Sequence, residues 1–111
     1  MDLAGGNQQL AVMVVEKFVT HSLESQERME AALAVRDLPL LRREAHSLKG
    51  AAAYVFAEEL SLAAKALQES IDYSMGDDVV CERLADVKIK LAATVVDIES
   101  SVKQITSLET D

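Results

Sequence analysis

An all-α fold is what this sequence predicts, and three observations predict it. Apolar residues recur at steps of three and four along most of the chain, the spacing that keeps side chains on one face of a helix. Glycine is scarce, with four residues, and proline occurs once, so the turn punctuation needed by a sheet of many short strands is missing. Aromatics are 4% with no tryptophan, which leaves Leu, Val, Ile and Ala to build a core of closely packed helices. A length of 111 residues is that of one domain. The expected architecture is an up-and-down antiparallel four-helix bundle with a short additional N-terminal helix. It takes up residues 7–111, after a flexible lead-in at 1–6.

The lead-in contains Gly5 and Gly6 and shows no periodicity. From about Asn7 to His21, Leu10, Val14, Phe18 and His21 follow helical spacing, with Met13 and Val15 widening the stripe. Ser22 and Ser25 read as breaks or N-caps, so this first helix is expected to be short and separate. A second helix then runs to about Val35, with Met29, Ala32 and Leu33 on its buried side. Arg36-Asp37-Leu38-Pro39 marks the next boundary. Asp37 can cap, and proline is tolerated in a first helical turn, where its missing N–H costs nothing.

The third helix, from about Leu38 to Val55 or Phe56, carries Leu41, Ala45, Leu48, Ala52 and Val55 on its core side. The fourth, from about Ala57 to Tyr73, repeats the pattern through Leu60, Ala64, Leu67 and Ile71. Residues 74–78 read as a loop, with Gly76 just past a helix end and an aspartate as the next N-cap. The last helix is long, from about Val79 to Ser107, with a stripe through Val80, Leu84, Val87, Leu91, Val95, Ile98, Val102 and Ile105. No internal repeat or low-complexity tract interrupts the series.

Charge narrows the function classes. A net charge of −8 and a pI near 4.7 repel nucleic-acid phosphates and anionic lipid, so neither is an expected partner. No apolar run approaches the roughly 20 residues of a membrane span. The stretch Leu10–Val15 lacks the basic flank and cleavage site of a signal peptide. Cys81 stands alone, and a chain without a cysteine framework suits a reducing compartment, so the cytoplasm is the expected location. Cys81, His21 and His46 have no ligand spacing for a metal, and no Gly-rich phosphate loop is present, so a nucleotide site of its own is not expected.

One stretch stands out chemically: Ala45-His46-Ser47-Leu48-Lys49-Gly50. On a wheel of about 100° per residue, Leu41, Leu48 and Val55 fall roughly opposite His46, so the imidazole is expected to point outward. Arg42, Arg43, Lys49, Gly50 and Ala53 share its side. Cations beside an imidazole can pair with the oxygens of a phosphoryl group bonded to it. Glycine inside a helix costs about 1 kcal/mol against alanine. Gly50 therefore needs a reason, either to let a partner approach His46 or to relieve packing against a neighbouring helix. A histidine among basic residues is also compatible with an ordinary solvated face. His21-Ser22-Leu23 repeats part of the motif without the lysine and glycine, and His21 is expected to be a partly buried structural residue.

The run from Ala45 to Ala53 resembles the signature of histidine-containing phosphotransfer (HPt) domains. Phe18, Leu33, Asp37, Leu41 and Ala45 match the spacing of that family's preceding helices, and Leu60, Ala64 and Leu67 that of its next one, so the likeness covers about residues 7–72. The resemblance implies a four-helix bundle in which His46 is phosphorylated on Nε2, Lys49 contacts the phosphoryl group and Gly50 clears the approach. It implies a phosphoryl carrier that shuttles between aspartates of response-regulator receiver domains. No cofactor would be bound by the domain, the receiver supplying Mg²⁺. It would be a monomer, free-standing or part of a hybrid sensor histidine kinase, including the cytoplasmic portion of a membrane-bound one. Two alternatives are the phospho-acceptor domain of a chemotaxis-type histidine kinase and a non-catalytic helical interaction module. Sensor-kinase dimerisation helices usually follow their histidine with an acidic residue and a proline, whereas Ser47 follows here. One departure concerns partner choice: where many members have glycine ten residues after the histidine, this chain has Phe56. On the wheel Phe56 falls at the core edge and burial is expected; the other reading is that it protrudes and alters which receivers dock.

Overall fold

The computed structural model of the chain describes residues 8–109, and four helices account for nearly all of them. These are α1 (Gln8–Ala34), α2 (Leu38–Tyr54), α3 (Glu58–Asp72) and α4 (Asp77–Glu109), with no strand among the described residues. The connections, 35–37, 55–57 and 73–76, are too short for anything but antiparallel neighbours. Each helix packs on the next, and α4 closes the ring against α1. The expected flexible lead-in at 1–6 lies outside the described residues.

The short additional N-terminal helix is not there as a separate element, because α1 runs unbroken through Ser22 and Ser25. Both serines are buried, at 2% and 6% exposure, and belong to the core-facing stripe Phe18, Ser22, Ser25, Met29 and Ala32. Instead of capping a new helix, Ser25 Oγ donates to Glu44 Oε1 on α2 at 2.9 Å. Arg28 Nε meets the other oxygen of Glu44 at 3.1 Å. His21 lies off this stripe and is exposed, so the expectation of a partly buried structural histidine is overturned.

The first three helices end the same way. At the end of α1, Arg36 N donates to Leu33 O and Asp37 N to Ala32 O. At the end of α2 the pairs are Phe56 to Ala53 and Ala57 to Ala52; at the end of α3 they are Ser74 to Ile71 and Met75 to Ser70. This is the Schellman arrangement, which satisfies the last carbonyls by placing one residue in the left-handed region. That residue is Arg36 (φ 58°), Phe56 (φ 63°) and Ser74 (φ 49°), none of them glycine. A side chain there costs on the order of 1 kcal/mol. Gly76 was expected just past a helix end. Instead Ser74 takes that position, and the Gly76 carbonyl accepts from Val80 N to open α4, which puts Asp77 and Asp78 in the first turn. Asp37 caps α2 as its sequence suggests, accepting from Leu40 N at 3.1 Å, with Pro39 in the first turn.

The core holds Met29, Leu41, Leu60, Leu67, Val87 and Leu91, all fully buried. Ala45, Ala52 and Ala64 are equally buried, and their small side chains let α2 and α3 approach closely. α4 has 33 residues and α1 27, against 17 and 15 in α2 and α3. The molecule is therefore elongated, 53 × 20 × 18 Å, with α1 and α4 forming a two-helix extension past the α2–α3 turn. Ion pairs between Lys88 and Glu30 (2.8 Å) and between Arg36 and Asp77 (3.3 Å) fasten the other end. No described helix is long and apolar enough to cross a membrane.

Candidate functional site

α2 buries Leu41, Ala45, Leu48 and Ala52 on one side, and that choice of side leaves His46 exposed. Its ring does not hang free. Nδ1 lies 3.1 Å from Oε1 of Gln68, on the facing turn of α3. An amide oxygen can only accept, so Nδ1 carries the proton of this contact, and in the neutral ring Nε2 keeps its lone pair.

The amide orientation is supported from its other end. Gln68 Nε2 donates to Asp72 Oδ2 at 3.4 Å. Asp72 in turn receives Arg42 Nε on Oδ1 at 2.5 Å and Arg42 Nη2 on Oδ2 at 3.4 Å. The hydrogen bond from Arg42 holds the Asp72 carboxyl below its ordinary range, and the Gln68 hydrogen bond and the Arg42 charge act in the same direction. Four side chains from two helices thus form one line: Arg42, Asp72, Gln68, His46.

Arg42, one of the cations expected beside His46, is engaged by Asp72. Arg43 is exposed and Lys49 half-buried, and neither is in an ion pair among the described residues. The Lys49 carbonyl accepts from Ser61 Oγ at 2.9 Å, which pins α2 to α3 near the site. Gly50 is exposed, and a Cβ built on it would meet nothing within 4 Å. Relief of packing is therefore not the reason for this glycine. Ala53 is exposed one turn further along the same side.

Phe56 is where the structure departs most from expectation. It is 83% exposed, not buried at the core edge, because α2 has already ended and the left-handed turn swings the residue out. The helical wheel did not apply to it. The same geometry explains why glycine suits this position: it is the one residue that takes a positive φ without strain.

A model of the family described as Hpt domain matches residues 13–106. The chain belongs to the Hpt domain family. The match spans every residue placed at the site, and the helical architecture agrees with it. Hpt domains carry out phosphotransfer in phosphorelays, typically against receiver domains. No curated protein and no solved structure matches the chain. Among the described residues, no group of His, Cys, Asp and Glu could hold a metal ion.

Gln68 and Asp72 escaped the sequence reading of this Hpt domain. They follow the core residues Leu67 and Ile71 by one position, so they lie on the edge of the apolar stripe of α3. That polar edge was the available signal. What was missing was the pairing between helices, in which His46 faces Gln68 and Arg42, four residues back, faces Asp72, four residues on.

Proposed function

We propose that His46 accepts a phosphoryl group from the aspartate of a response-regulator receiver domain and passes it to the aspartate of another. The observation that carries this reading is an exposed imidazole whose Nδ1 is committed to Gln68, leaving Nε2 as the nucleophile. In the forward step the Nε2 lone pair attacks phosphorus. A P–N bond forms, the P–O bond to the receiver's aspartate breaks, and the bonding pair leaves with the carboxylate. The ring gains positive charge, which strengthens the Nδ1–H donation to Gln68 just as the transition state forms. The return step reverses these changes on a second receiver.

Lys49 and Arg43 supply positive charge for the phosphoryl oxygens, while Arg42 acts from its pair with Asp72. Gly50 and Ala53 keep the ground beside His46 low enough for a receiver surface to come within bonding distance. Phe56 protrudes beyond that strip, where it bears on which receivers dock. The Mg²⁺ belongs to the receiver. The domain works as a cytoplasmic monomer, whether free-standing or joined to a hybrid sensor histidine kinase.

The test mixes the domain with ³²P-labelled phospho-receiver and Mg²⁺ and looks for acid-labile, base-stable label. Wild type should take up label and His46→Gln should take up none. Equal labelling of the two proteins would move the acceptor away from His46. A wild type labelled by no receiver or kinase would instead leave a non-catalytic interaction module. Labelling only by a chemotaxis-type kinase and ATP would make this its acceptor domain.

A further inference from the structure

We propose that Asp72, held by Arg42, is a positioning residue for phosphoryl transfer: it fixes the orientation of the Gln68 amide and so decides which ring nitrogen of His46 can react. This rests on the reading of His46 as the acceptor.

The end of a glutamine side chain is an oxygen and an NH₂ group of almost the same size, so either orientation fits the same space. The two have opposite consequences here. With the oxygen toward His46, as found at 3.1 Å, the ring proton sits on Nδ1 and Nε2 is free. With the amide turned over, the NH₂ donates to Nδ1, the proton moves to Nε2, and the lone pair needed for attack is occupied. Gln68 has no internal preference between these.

Asp72 supplies the preference. A carboxylate can only accept, and its Oδ2 lies 3.4 Å from Gln68 Nε2. The turned-over amide would set an oxygen against that carboxylate. Arg42 engages both carboxylate oxygens from α2, one helical turn before His46. The carboxylate is therefore fixed relative to the helix that carries the imidazole as well as to its own. The Arg42 and Asp72 side chains are 45% and 33% exposed, and an ion pair so open to water adds little to stability. Orientation is the effect left for it to have.

The experiment reads the His46 tautomer from its ring ¹⁵N shifts in two-bond ¹H–¹⁵N spectra, at a pH where the same spectra show a neutral ring. It also follows labelling by phosphoramidate, a small donor that needs no docking. Wild type should hold its proton on Nδ1. Asp72→Ala should move a substantial fraction to Nε2 and slow labelling about 2- to 10-fold, the range for one lost hydrogen bond. Adding Gln68→Glu to Asp72→Ala should return the proton to Nδ1, because a carboxylate has no donor to turn toward the ring. A merely structural role for Asp72 would not be rescued in this way.

An Asp72→Ala protein with the proton still on Nδ1 overturns the proposal, and so does a double variant that fails to restore it. Should Asp72→Ala not fold by circular dichroism, Arg42→Ala gives the same readout with a smaller shift, and no shift there overturns it equally. The acceptor reading fails separately: a wild type with the Nδ1 proton that no phosphodonor labels shows the wrong function on an intact clamp.

Discussion

At the seam between α1 and α2, Glu44 takes a hydroxyl hydrogen bond from Ser25 on one oxygen and Arg28 Nε on the other. At the seam between α2 and α3, Asp72 takes Arg42 Nε on one oxygen and an amide hydrogen bond from Gln68 on the other. Each site is a carboxylate tied across two helices by an arginine, with a neutral donor also on it; that donor comes from the facing helix at Glu44 and from the carboxylate's own helix at Asp72. They differ in burial and in where the neutral donor leads. The Glu44 side chain is 15% exposed and Asp72 33%. Ser25 is buried and passes nothing on, whereas Gln68 continues to the imidazole of His46. The same chemistry therefore serves the fold at one seam and the reacting atom at the other. Removing each carboxylate should damage different properties.

The largest expected effect on the fold is at the inner seam. Glu44→Ala leaves the Ser25 hydroxyl buried without its partner and Arg28 unpaired, which should cost about 2 kcal/mol. Urea unfolding monitored by circular dichroism would show it as a lower midpoint at unchanged slope. The folded fraction should still be labelled at His46 at the wild-type rate. A loss of labelling rate beyond the loss of folded protein would mean that the two seams are coupled, and the contrast between them would break down.

Gly50→Ala sharpens the contrast from the outward side. The added methyl meets open space, so the gain in helix propensity, about 1 kcal/mol, has nothing to offset it. The protein should unfold at higher urea. Transfer from a phospho-receiver should fall roughly 10-fold, because a misplacement of about 1 Å at a reacting pair is already costly. Labelling by phosphoramidate should stay near wild type. If the two donors slow together, Gly50 acts on the imidazole itself and not on docking.

These seams also show what could be read from the chain and what could not. α2 was legible because its buried stripe is wholly apolar, and with it the outward place of Arg43, His46 and Gly50. α1 was misdivided because its stripe passes through Ser22 and Ser25, whose polarity mimics a boundary when their partner on α2 is unknown. Gln68 and Asp72 gain meaning only from the pairing of α2 with α3, a relation no single helix encodes. The three left-handed helix ends were hidden for another reason. Arg36, Phe56 and Ser74 occupy positions where sequence reasoning looks for glycine.

Phe56 gives the smallest effect, and one that separates stability from partner choice. It lies past the end of α2, away from both carboxylates, with 83% of its surface exposed and φ at 63°. Little burial energy is lost on replacing it, and the strain of a side chain in the left-handed region is removed. The greater entropy of an unfolded glycine takes back part of that gain, so Phe56→Gly should stabilise by about 0.5–1 kcal/mol. The His46 tautomer and phosphoramidate labelling should not move, since no member of the Arg42–Asp72–Gln68 line is touched. Rates with a panel of phospho-receivers should instead be reordered, because a protruding ring next to the Gly50–Ala53 strip is met by some docking surfaces and not others. A uniform change across the panel would mean that Phe56 sets no preference. A strained, solvent-exposed aromatic retained against the stability of its own helix end is then without a functional reason at this site.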